Sequence, residues 1–484
     1  MYTFSSKLKT FSFILMIIGI LGIGYGFLTA PKTIDEVEKI LAAEEHGEHH
    51  SKAVTAEVVK TEAAPKEPAA EAKAEATTMP SDTLKVQDSI IAPAPVVEKV
   101  IKKEVKVSEA DEHAAHEAHL KHVLQQLQNK PWAALYVACI FFLLVSMGVL
   151  AFYGIQQVAQ SGWSPVLFRV MQGITAYLPV GSVIFFLFLI LCGLHFNHLF
   201  PWLDPNVVAE DKIIQNKAGY LNFPFWIARA AIFLLGWNLY RYFSRKNCLA
   251  QDEATDNAFY KKNFNISAMF LVFFIVTESI MSWDWIMSLD PHWFSTLFGW
   301  YVFASFFVSG ITTICMVTLY LKSKGYLEHV NTSHIHDLAK FMFGISVFWT
   351  YLWFSQFMLI WYANIPEEVT YFVTRIEHFN LPFFGAVVMN FVFPILILIN
   401  TDFKRITWVL VMAGTVILLG HYIDFFNMIM PSTVGEQWFI GASEIGSVLF
   451  FLGLFLFVVF TALTKAPLLP KRNPYIEESK HFHY

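Results

Sequence analysis

Charge is scarce in this chain. Only 15% of its 484 residues are charged, whereas 55% are hydrophobic and Phe alone occurs 48 times. Soluble domains carry roughly 25% charged residues. The formal net charge is -5 and no basic stripe is present. We therefore exclude a soluble enzyme, a disordered protein and a nucleic-acid binder.

Cysteine is scarce too, and its spacing excludes most metal sites. The four cysteines are isolated from one another: Cys139, Cys192, Cys248 and Cys315. Without a CxxC or CxxCH spacing, the chain has no pattern for zinc, an iron–sulfur cluster or covalently attached haem. We expect this chain to hold no metal and no cofactor of its own, with the metal centres of any redox chemistry in other subunits.

Long apolar runs, by contrast, are abundant. About 20 apolar residues cross a bilayer, and such a run must be helical because lipid offers no partner to an unpaired backbone amide. Ten runs have this length: 11–30, 131–154, 174–199, 222–243, 264–287, 294–321, 338–363, 381–400, 405–428 and 441–464. They predict an all-α polytopic membrane protein with kinks at Pro179 and Pro394.

The distribution of Lys and Arg predicts the orientation. With the N-terminus inside, the inner segments carry most of these residues, while the short outer loops carry only Lys212, Lys217 and Arg375. Positive residues concentrate on the cytoplasmic side of membrane proteins. Both termini are therefore predicted to be cytoplasmic.

The first apolar run has a second interpretation. Lys7 and Lys9 before such a run are also typical of a signal peptide. The run is long for that purpose and is followed by a poor cleavage site. Gly22 and Gly26 form a small-residue face suited to helix packing. We predict that the run is retained as a membrane helix.

The first loop, residues 31–130, differs in composition from the rest. Residues 52–107 are rich in Ala, Glu, Lys, Pro and Val, which is typical of disorder. Residues 109–128 predict a polar helix that leads to Pro131. Histidines spaced by three on that helix fit a transition-metal site or, by default, a solvated face: His113, His116, His119 and His122.

A short motif occurs twice. The stretches from Asp284 to Pro291 and from Asp424 to Pro431 each place an aromatic residue after the Asp and Pro seven residues later. The two stretches end runs that lie four apart. They predict two four-helix bundles, 131–287 and 294–428, with peripheral helices within 1–30 and 441–484.

Ionisable residues inside a membrane are costly and mark functional sites by default. Most of those in the predicted spans fall in the outer halves: His195, His198, Arg229, Glu278, Asp284, His421, Asp424 and Glu444, with Asp290 and His292 at a span end. Carboxyl and imidazole groups exchange protons readily. The arrangement predicts a proton half-path or a quinol pocket near the outer surface.

Structural roles stay open for these residues. Glu278 could pair with Arg229 as an ion pair, and His421 could hydrogen-bond Asp424 on the same helical face. His195 and His421 have similar predicted depths and could ligate a haem b. Such pairs arise easily by chance among 17 histidines.

Three further positions have structural alternatives. Asp290 before Pro291 is typical of a capped turn, and Glu444 could answer the dipole of a helix N-terminus. Trp283 belongs to an aromatic cluster that fits an interfacial belt, although a quinone head could also stack there.

Three motifs resemble a known family. The run from Glu278 to Phe298 (ESIMSWDWIMSLDPHWFSTLF), RIEHFNLPF at 375–383 and GHYID at 420–424 are similar to the membrane subunits of bacterial alternative complex III. Those subunits belong to the wider polysulfide-reductase-type (NrfD-like) family. The resemblance covers about residues 131–465, so the 31–130 insert lies outside it.

The resemblance implies ten transmembrane helices in the bacterial inner membrane and a complex that oxidises quinol or menaquinol. Iron–sulfur and multihaem cytochrome c subunits would carry the electrons to cytochrome c or a terminal oxidase. Of the two related membrane subunits, C and F, the chain is more similar to F. The C member of that pair is thought to hold the quinol site, and the F member is credited with a proton half-path.

We therefore predict a redox-passive subunit that serves as scaffold and proton path, in contact with the related C-type membrane protein, the redox subunits and lipid. The predicted path residues are Glu278, Asp284, His292, His421, Asp424, Glu444 and Arg229. The predicted quinone contacts, should the chain bind quinol directly, are His195, Trp283 and Asp290. A secondary transporter and a purely structural scaffold are the other interpretations.

Overall fold

The computed structural model describes residues 1–42 and 109–483. Within these residues all regular structure is helical, which confirms the predicted all-α class. The chain divides into two compact units: Met1–Lys32 with Gln125–Tyr484, and Thr33–Leu124.

The helices named below are numbered in chain order. Their bounds are α1 Ser6–Thr29, α2 Glu109–Val158, α3 Tyr177–Gly193, α4 Phe223–Gln251, α5 Ala258–Trp285, α6 Phe298–Ser323, α7 Thr332–Ala363, α8 Pro366–Glu377, α9 Asn380–Val387, α10 Phe393–Leu398, α11 Thr407–Val434 and α12 Ala442–Leu463. Short helical segments lie between them, at Pro165–Leu167, Phe168–Ile174, Pro201–Leu203, Pro205–Glu210, Lys212–Lys217, Met287–Leu289, Val388–Val392, Phe403–Arg405 and Ile476–Lys480.

Nine helices in the described part of the chain are long and apolar enough to cross a membrane. The helix α4, which corresponds to the fourth predicted run, 222–243, is not among them. It is 29 residues long, but Arg229, Arg241 and Arg245 lower its hydropathy. Its length is therefore sufficient, and only its composition sets it apart.

Contacts at the helix ends define two ends of the larger unit. At the terminal end, Thr3 N donates to Tyr326 Oη at 3.4 Å, and Asn331 Nδ2 donates to the carbonyl of Phe482 at 2.5 Å. The first and last residues of the chain thus meet the same loop, 324–331. Both termini can lie at one end only if the chain crosses an even number of times. Together with the nine candidate spans, α4 brings the number of crossings to ten.

The opposite end, here called the loop end, is formed by loops 194–222, 286–297 and 435–441. Lys217 Nζ donates to the carbonyl of Pro291 at 2.5 Å. Helix α4 begins at this end, and Asp252, the residue after it, accepts from the backbone of Lys471 at the terminal end, 2.9 Å away. Helix α4 therefore runs from one end to the other.

Helices α2 and α6 are the most buried of the candidate spans. They cross through backbone contact: a Cβ at Gly148 would lie 2.5 Å from the carbonyl oxygen of Phe306, and one at Gly310 would lie 2.8 Å from the carbonyl carbon of Gly148. Glycine at both positions allows this approach. Helices α4 and α5 pack on one another, as do α6 and α7, and α6 also contacts α11.

Helices α1 and α12 pack together along small residues. A Cβ at Gly22 would lie 2.7 Å from the carbonyl oxygen of Ala442, and one at Gly26 would lie 2.6 Å from Ser443 Cβ. The small-residue face predicted on the first run is the face that makes this contact.

Proline acts differently at the three positions singled out above. Pro179 lies in the first turn of α3, just after a break between Ile174 and Tyr177. Pro394 follows a π-helical turn, Val388–Val392, that separates α9 from α10. Pro131 lies inside α2, which continues without interruption.

In the smaller unit, the structure describes a short helix over 34–42 and the start of α2. Lys121 and Glu117 pair on the surface of α2 at 2.7 Å. The side chains of His113, His116 and His119 are exposed. The segment 52–107, predicted to be disordered, lies outside the described residues.

Candidate functional site: a buried proton-relay network

Asp424 is the centre of a buried network between helices α6, α7 and α11. Its carboxylate accepts from the Tyr301 hydroxyl, from Ser305 Oγ at 2.8 Å and from Trp349 Nε1 at 2.9 Å. Its relative exposure is 1%. These three donors satisfy the Asp424 side chain without a cation among its hydrogen-bond partners.

Ser305 connects Asp424 to His421. Ser305 Oγ lies 2.9 Å from His421 Nδ1, whereas His421 Nδ1 is 3.8 Å from the nearest Asp424 oxygen. The two ionisable groups are thus bridged rather than directly bonded. A hydroxyl has one proton to donate. When Ser305 donates to Asp424, it accepts from His421 Nδ1–H, and His421 Nε2 then carries a free lone pair.

His421 Nε2 has no hydrogen-bond partner in the protein, although it is fully buried. Other buried polar atoms on α6, α7, α11 and the π-helical turn also lack partners: Thr312 Oγ1, Ser346 Oγ, Gln356 Nε2, Asn390 Nδ2 and Oδ1, and Asn427 Oδ1. Buried polar groups normally have a partner, either protein or water. Such a set within one bundle fits a hydrated path.

Asn390 is adjacent to the network. It lies in the π-helical turn, where such irregularities often mark functional sites. A Cβ at Gly420 would collide with its side-chain oxygen, so the Asn390 amide lies against α11 beside His421.

Asp284, the counterpart of Asp424 in the repeated motif, has a different environment. Arg229 Nε lies 2.6 Å from its Oδ2 and Arg229 Nη2 lies 2.9 Å from its Oδ1. The ring of Tyr220 stacks 4.0 Å from the Arg229 guanidinium. Asp284 is thus held in a two-point ion pair, which is a poor arrangement for proton exchange.

Glu278 is not the partner of Arg229, contrary to the alternative considered from the sequence. Its relative exposure is 3%. Ser279 Oγ donates to its Oε2 at 3.1 Å, and its Oε1 has no partner in the protein. Because Asp284 lies one and a half turns nearer to the start of α4, it takes the Arg229 guanidinium instead.

A cavity of about 400 Å³ opens at the loop end. Its lining includes Trp283 and Asp290, two of the predicted quinone contacts, together with Lys217, Tyr220 and Trp293. The third predicted contact, His195, is not part of the lining. It follows the end of α3 in a left-handed conformation, with φ of 61°, and is exposed.

His292 and Asp290 are at the water-facing surface of this end. His292 Nε2 lies 2.5 Å from Asp211 Oδ2, and its backbone N–H donates to Asp290 Oδ1 at 3.2 Å. The second contact is the capped turn considered above. His292 thus contacts a loop rather than Glu278 or Asp284.

Glu444 caps helix α12. Its Oε2 accepts from the backbone N–H of Gly441 at 2.8 Å and from Ser443 Oγ at 2.9 Å. These contacts fit the structural alternative for Glu444, because they satisfy orphan donors at a helix start. Its other oxygen has no partner in the protein.

Arg375 is a buried cation that the sequence analysis used for orientation and as part of the 375–383 motif, without a role in the site. Its relative exposure is 3%. Its Nη1 donates to the carbonyl of Tyr371 at 2.8 Å and its Nε to that of Asn427 at 2.9 Å. Arg229 makes the matching contact with the carbonyl of Tyr220 at 3.2 Å. The Tyr–Arg contact is thus repeated, a signal that the sequence repeat alone did not reveal.

Polar groups are not confined to the predicted outer half. At the terminal end, Tyr153 lies among amide side chains from three helices, with Gln157, Gln172 and Asn263 all donating to its hydroxyl oxygen. The sequence analysis considered only ionisable residues, so it did not address these uncharged amides.

Among the described residues, no three His, Cys, Asp or Glu side chains form a group that could hold a metal ion. The histidines of α2 lie three residues apart along an exposed face. His195 is exposed and His421 fully buried.

The chain matches no family model and no curated protein. Its likeness to the membrane proteins of alternative complex III therefore stands on the three sequence motifs alone.

Proposed function

We propose that this chain is an integral membrane subunit of a respiratory quinol oxidoreductase, and that its second bundle relays protons while partner subunits transfer electrons. The observation that carries the proposal is the buried chain from His421 through Ser305 to Asp424. It ends on an imidazole nitrogen with no partner in the protein.

The relay requires one proton to enter for each proton that leaves. A proton arriving at His421 Nε2 frees the Nδ1 proton to pass to Ser305 Oγ. Ser305 gives its own hydroxyl proton to Asp424 Oδ2 and keeps the new one. Asp424 then passes this proton to a water molecule, and the donors Tyr301, Ser305 and Trp349 stabilise the carboxylate that remains. A flip of the His421 ring and a rotation of the Ser305 hydroxyl restore the starting arrangement.

The cysteines of this chain have no spacing typical of an iron–sulfur cluster or of covalently attached haem. We therefore assign electron transfer to iron–sulfur and multihaem cytochrome c partners, as the sequence resemblance implies. The loop end faces the periplasm in this proposal, since most Lys and Arg residues lie at the terminal end. The proton path then opens to the periplasmic side.

Extraction of the chain from its native membrane in mild detergent tests this assignment. We expect it to co-purify with a multihaem cytochrome and an iron–sulfur protein, and the preparation to oxidise quinol. Isolation as a single polypeptide with transport activity would contradict the proposal and favour a secondary transporter.

Variants of the complex separate a proton path from a scaffold. We expect Asp424→Asn to slow quinol turnover, because an amide cannot take up the relayed proton. Asp402→Asn, at an exposed position, is the matched control and should turn over normally. Equal quinol turnover by both variants would contradict the proton path and favour a purely structural role for this chain.

The cavity at the loop end favours a second candidate, direct quinol binding. Its volume of about 400 Å³ lies within the range of small-molecule sites, and Trp283 offers an indole face for stacking. Quinone analogues should then protect Trp283 from chemical modification, while Trp361, exposed on α7, remains reactive. No protection would exclude this candidate.

A further inference from the structure

A small cavity lies at the terminal end, away from the Asp424 network. Its volume is about 10 Å³, and its polar lining includes Gln157, Asn247 and Asn263. These three side chains come from α2, α4 and α5, and each has a relative exposure of 5% or less. The polar side of the cavity is therefore buried between these three helices.

Each of these three amides has one atom without a partner in the protein. The atoms are Gln157 Oε1, Asn263 Oδ1 and Asn247 Nδ2. Tyr153 orients two of them: Gln157 Nε2 and Asn263 Nδ2 donate to its hydroxyl oxygen at 3.0 and 3.3 Å. The amide nitrogens thus turn to Tyr153, and the two oxygens remain for another donor.

We propose that this cavity is a binding site for one water molecule. A water molecule has two protons to donate and two lone pairs to accept with. It can donate to Gln157 Oε1 and Asn263 Oδ1 and accept from Asn247 Nδ2, which satisfies all three unpartnered atoms. A buried water typically makes about three hydrogen bonds and needs roughly 10–15 Å³, which matches the cavity.

Tyr153 holds the amides beside the cavity in place. Besides Gln157 and Asn263, Gln172 Nε2 at 3.1 Å and Ser244 Oγ at 3.2 Å donate to its hydroxyl oxygen. The water pairs with the amide oxygens, so the amide nitrogens of Gln157 and Asn263 stay directed at Tyr153.

The segment 465–483 covers the cavity. Pro470 and Asn473 are part of its lining, and the backbone N–H of Lys471 donates to Asp252 Oδ1 at 2.9 Å. Ser479 anchors the segment farther along, since its Oγ donates to the carbonyl of Trp163 at 2.6 Å. A movement of this segment therefore widens the access of solvent to the cavity.

Radiolytic hydroxyl labelling of the purified full chain tests the site, because radicals form from waters bound beside a side chain. Tyr153 should be modified many-fold faster than Tyr136. Both are nearly fully buried, but the Tyr136 hydroxyl is satisfied by the carbonyl of Trp285 at 2.6 Å. Equal, slow modification of the two tyrosines would overturn the proposal.

Variants give a second measurement. Asn263→Leu fills the cavity and should reduce Tyr153 labelling to the rate of Tyr136. If that variant does not fold, Gln157→Leu serves the same purpose. Unchanged Tyr153 labelling in a folded variant would contradict a water held by these amides.

The covering role of the segment is tested by thiol labelling. Cys248 lines the cavity, whereas Cys315 is fully buried elsewhere in the bundle. Ser479→Ala should raise maleimide labelling of Cys248 and leave Cys315 unchanged. Equal rates in the variant and the unaltered protein would show that the segment does not control access. The site does not depend on the proposed function, since none of these measurements requires quinol turnover.

Discussion

Arg229 and Asp284 form a two-point ion pair between α4 and α5, with N–O distances of 2.6 and 2.9 Å. The equivalent aspartate of the repeated motif, Asp424, has no such cation among its hydrogen-bond partners and is held by Tyr301, Ser305 and Trp349. The motif thus occurs once with an ion-paired carboxyl group and once with a carboxyl group held by neutral donors.

Breaking the first of these arrangements should destabilise the protein. Removing one partner of a buried ion pair leaves an unpaired charge and costs roughly 3–5 kcal/mol. We expect Arg229→Met to lower the thermal unfolding temperature of the detergent-solubilised protein. Adding Asp284→Leu to that variant should restore most of the lost stability. If the losses of the two single variants simply add in the double variant, the two residues do not form a direct pair.

The crossing of α2 and α6 makes a separate prediction. A Cβ at Gly310 would lie 2.8 Å from the backbone of Gly148, so Gly310→Ala must separate the helices and lower the unfolding temperature. At Gly344 nothing lies within 4 Å of the added Cβ. Gly344→Ala is the matched control and should be neutral or stabilising, by up to about 1 kcal/mol. Equal effects would contradict the crossing.

The contacts of Asp211 predict that the packing of loop 204–222 at the loop end depends on pH. Partial burial raises the pKa of the Asp211 carboxyl, but hydrogen bonds from the backbone of Ile214, from His292 and from the backbone of Ile213 outweigh it and hold the pKa below its usual range. A lowered pKa stabilises the folded state at pH values above the unfolded pKa of about 3.9. That contribution is lost as the pH falls through the folded value.

Hydrogen exchange of residues 204–222 measures this attachment. In the unaltered protein, protection of this loop should fall as the pH is lowered below about 4. In Asp211→Asn, protection should be lower at neutral pH and should not change over that range. If protection falls with pH equally in both proteins, a group other than Asp211 causes the pH dependence.

Replacing the carboxyl group of Glu278 by an amide should affect stability in the opposite way to the same change at Asp424. Its only hydrogen bond is with Ser279, so Glu278→Gln removes a costly buried carboxyl and should keep or raise the unfolding temperature. Asp424→Asn places an amide N–H against donors and should cost about 1–3 kcal/mol. Comparable losses in the two variants would show that Glu278 has a partner of its own.

The sequence predicts the helical class because a long apolar run that crosses a bilayer must form a helix. It also identifies Asp284, His421 and Asp424, since an ionisable group in such a run is conspicuous. It does not identify their partners. Ser305, Tyr301 and Trp349 are ordinary residues of membrane helices, and only the packing of α6 and α7 against α11 selects them.

The terminal end shows the same limit more strongly. Gln157, Asn247 and Asn263 carry no charge and lie far apart in the chain, so no spacing signals that they meet. Similarly, Arg229 could be paired with either carboxyl of α5 from the sequence. Its choice of Asp284 depends on where α4 begins relative to the end of α5.

Proton release by the complex in sealed liposomes, started by quinol, tests the relay most directly. Ser305→Ala removes the bridge between His421 and Asp424, whereas Ser309→Ala, one turn away on α6, removes only a bond to the backbone carbonyl of Ser305. The relay predicts that Ser305→Ala loses proton release while Ser309→Ala retains it. Equal proton release by both variants would contradict the relay.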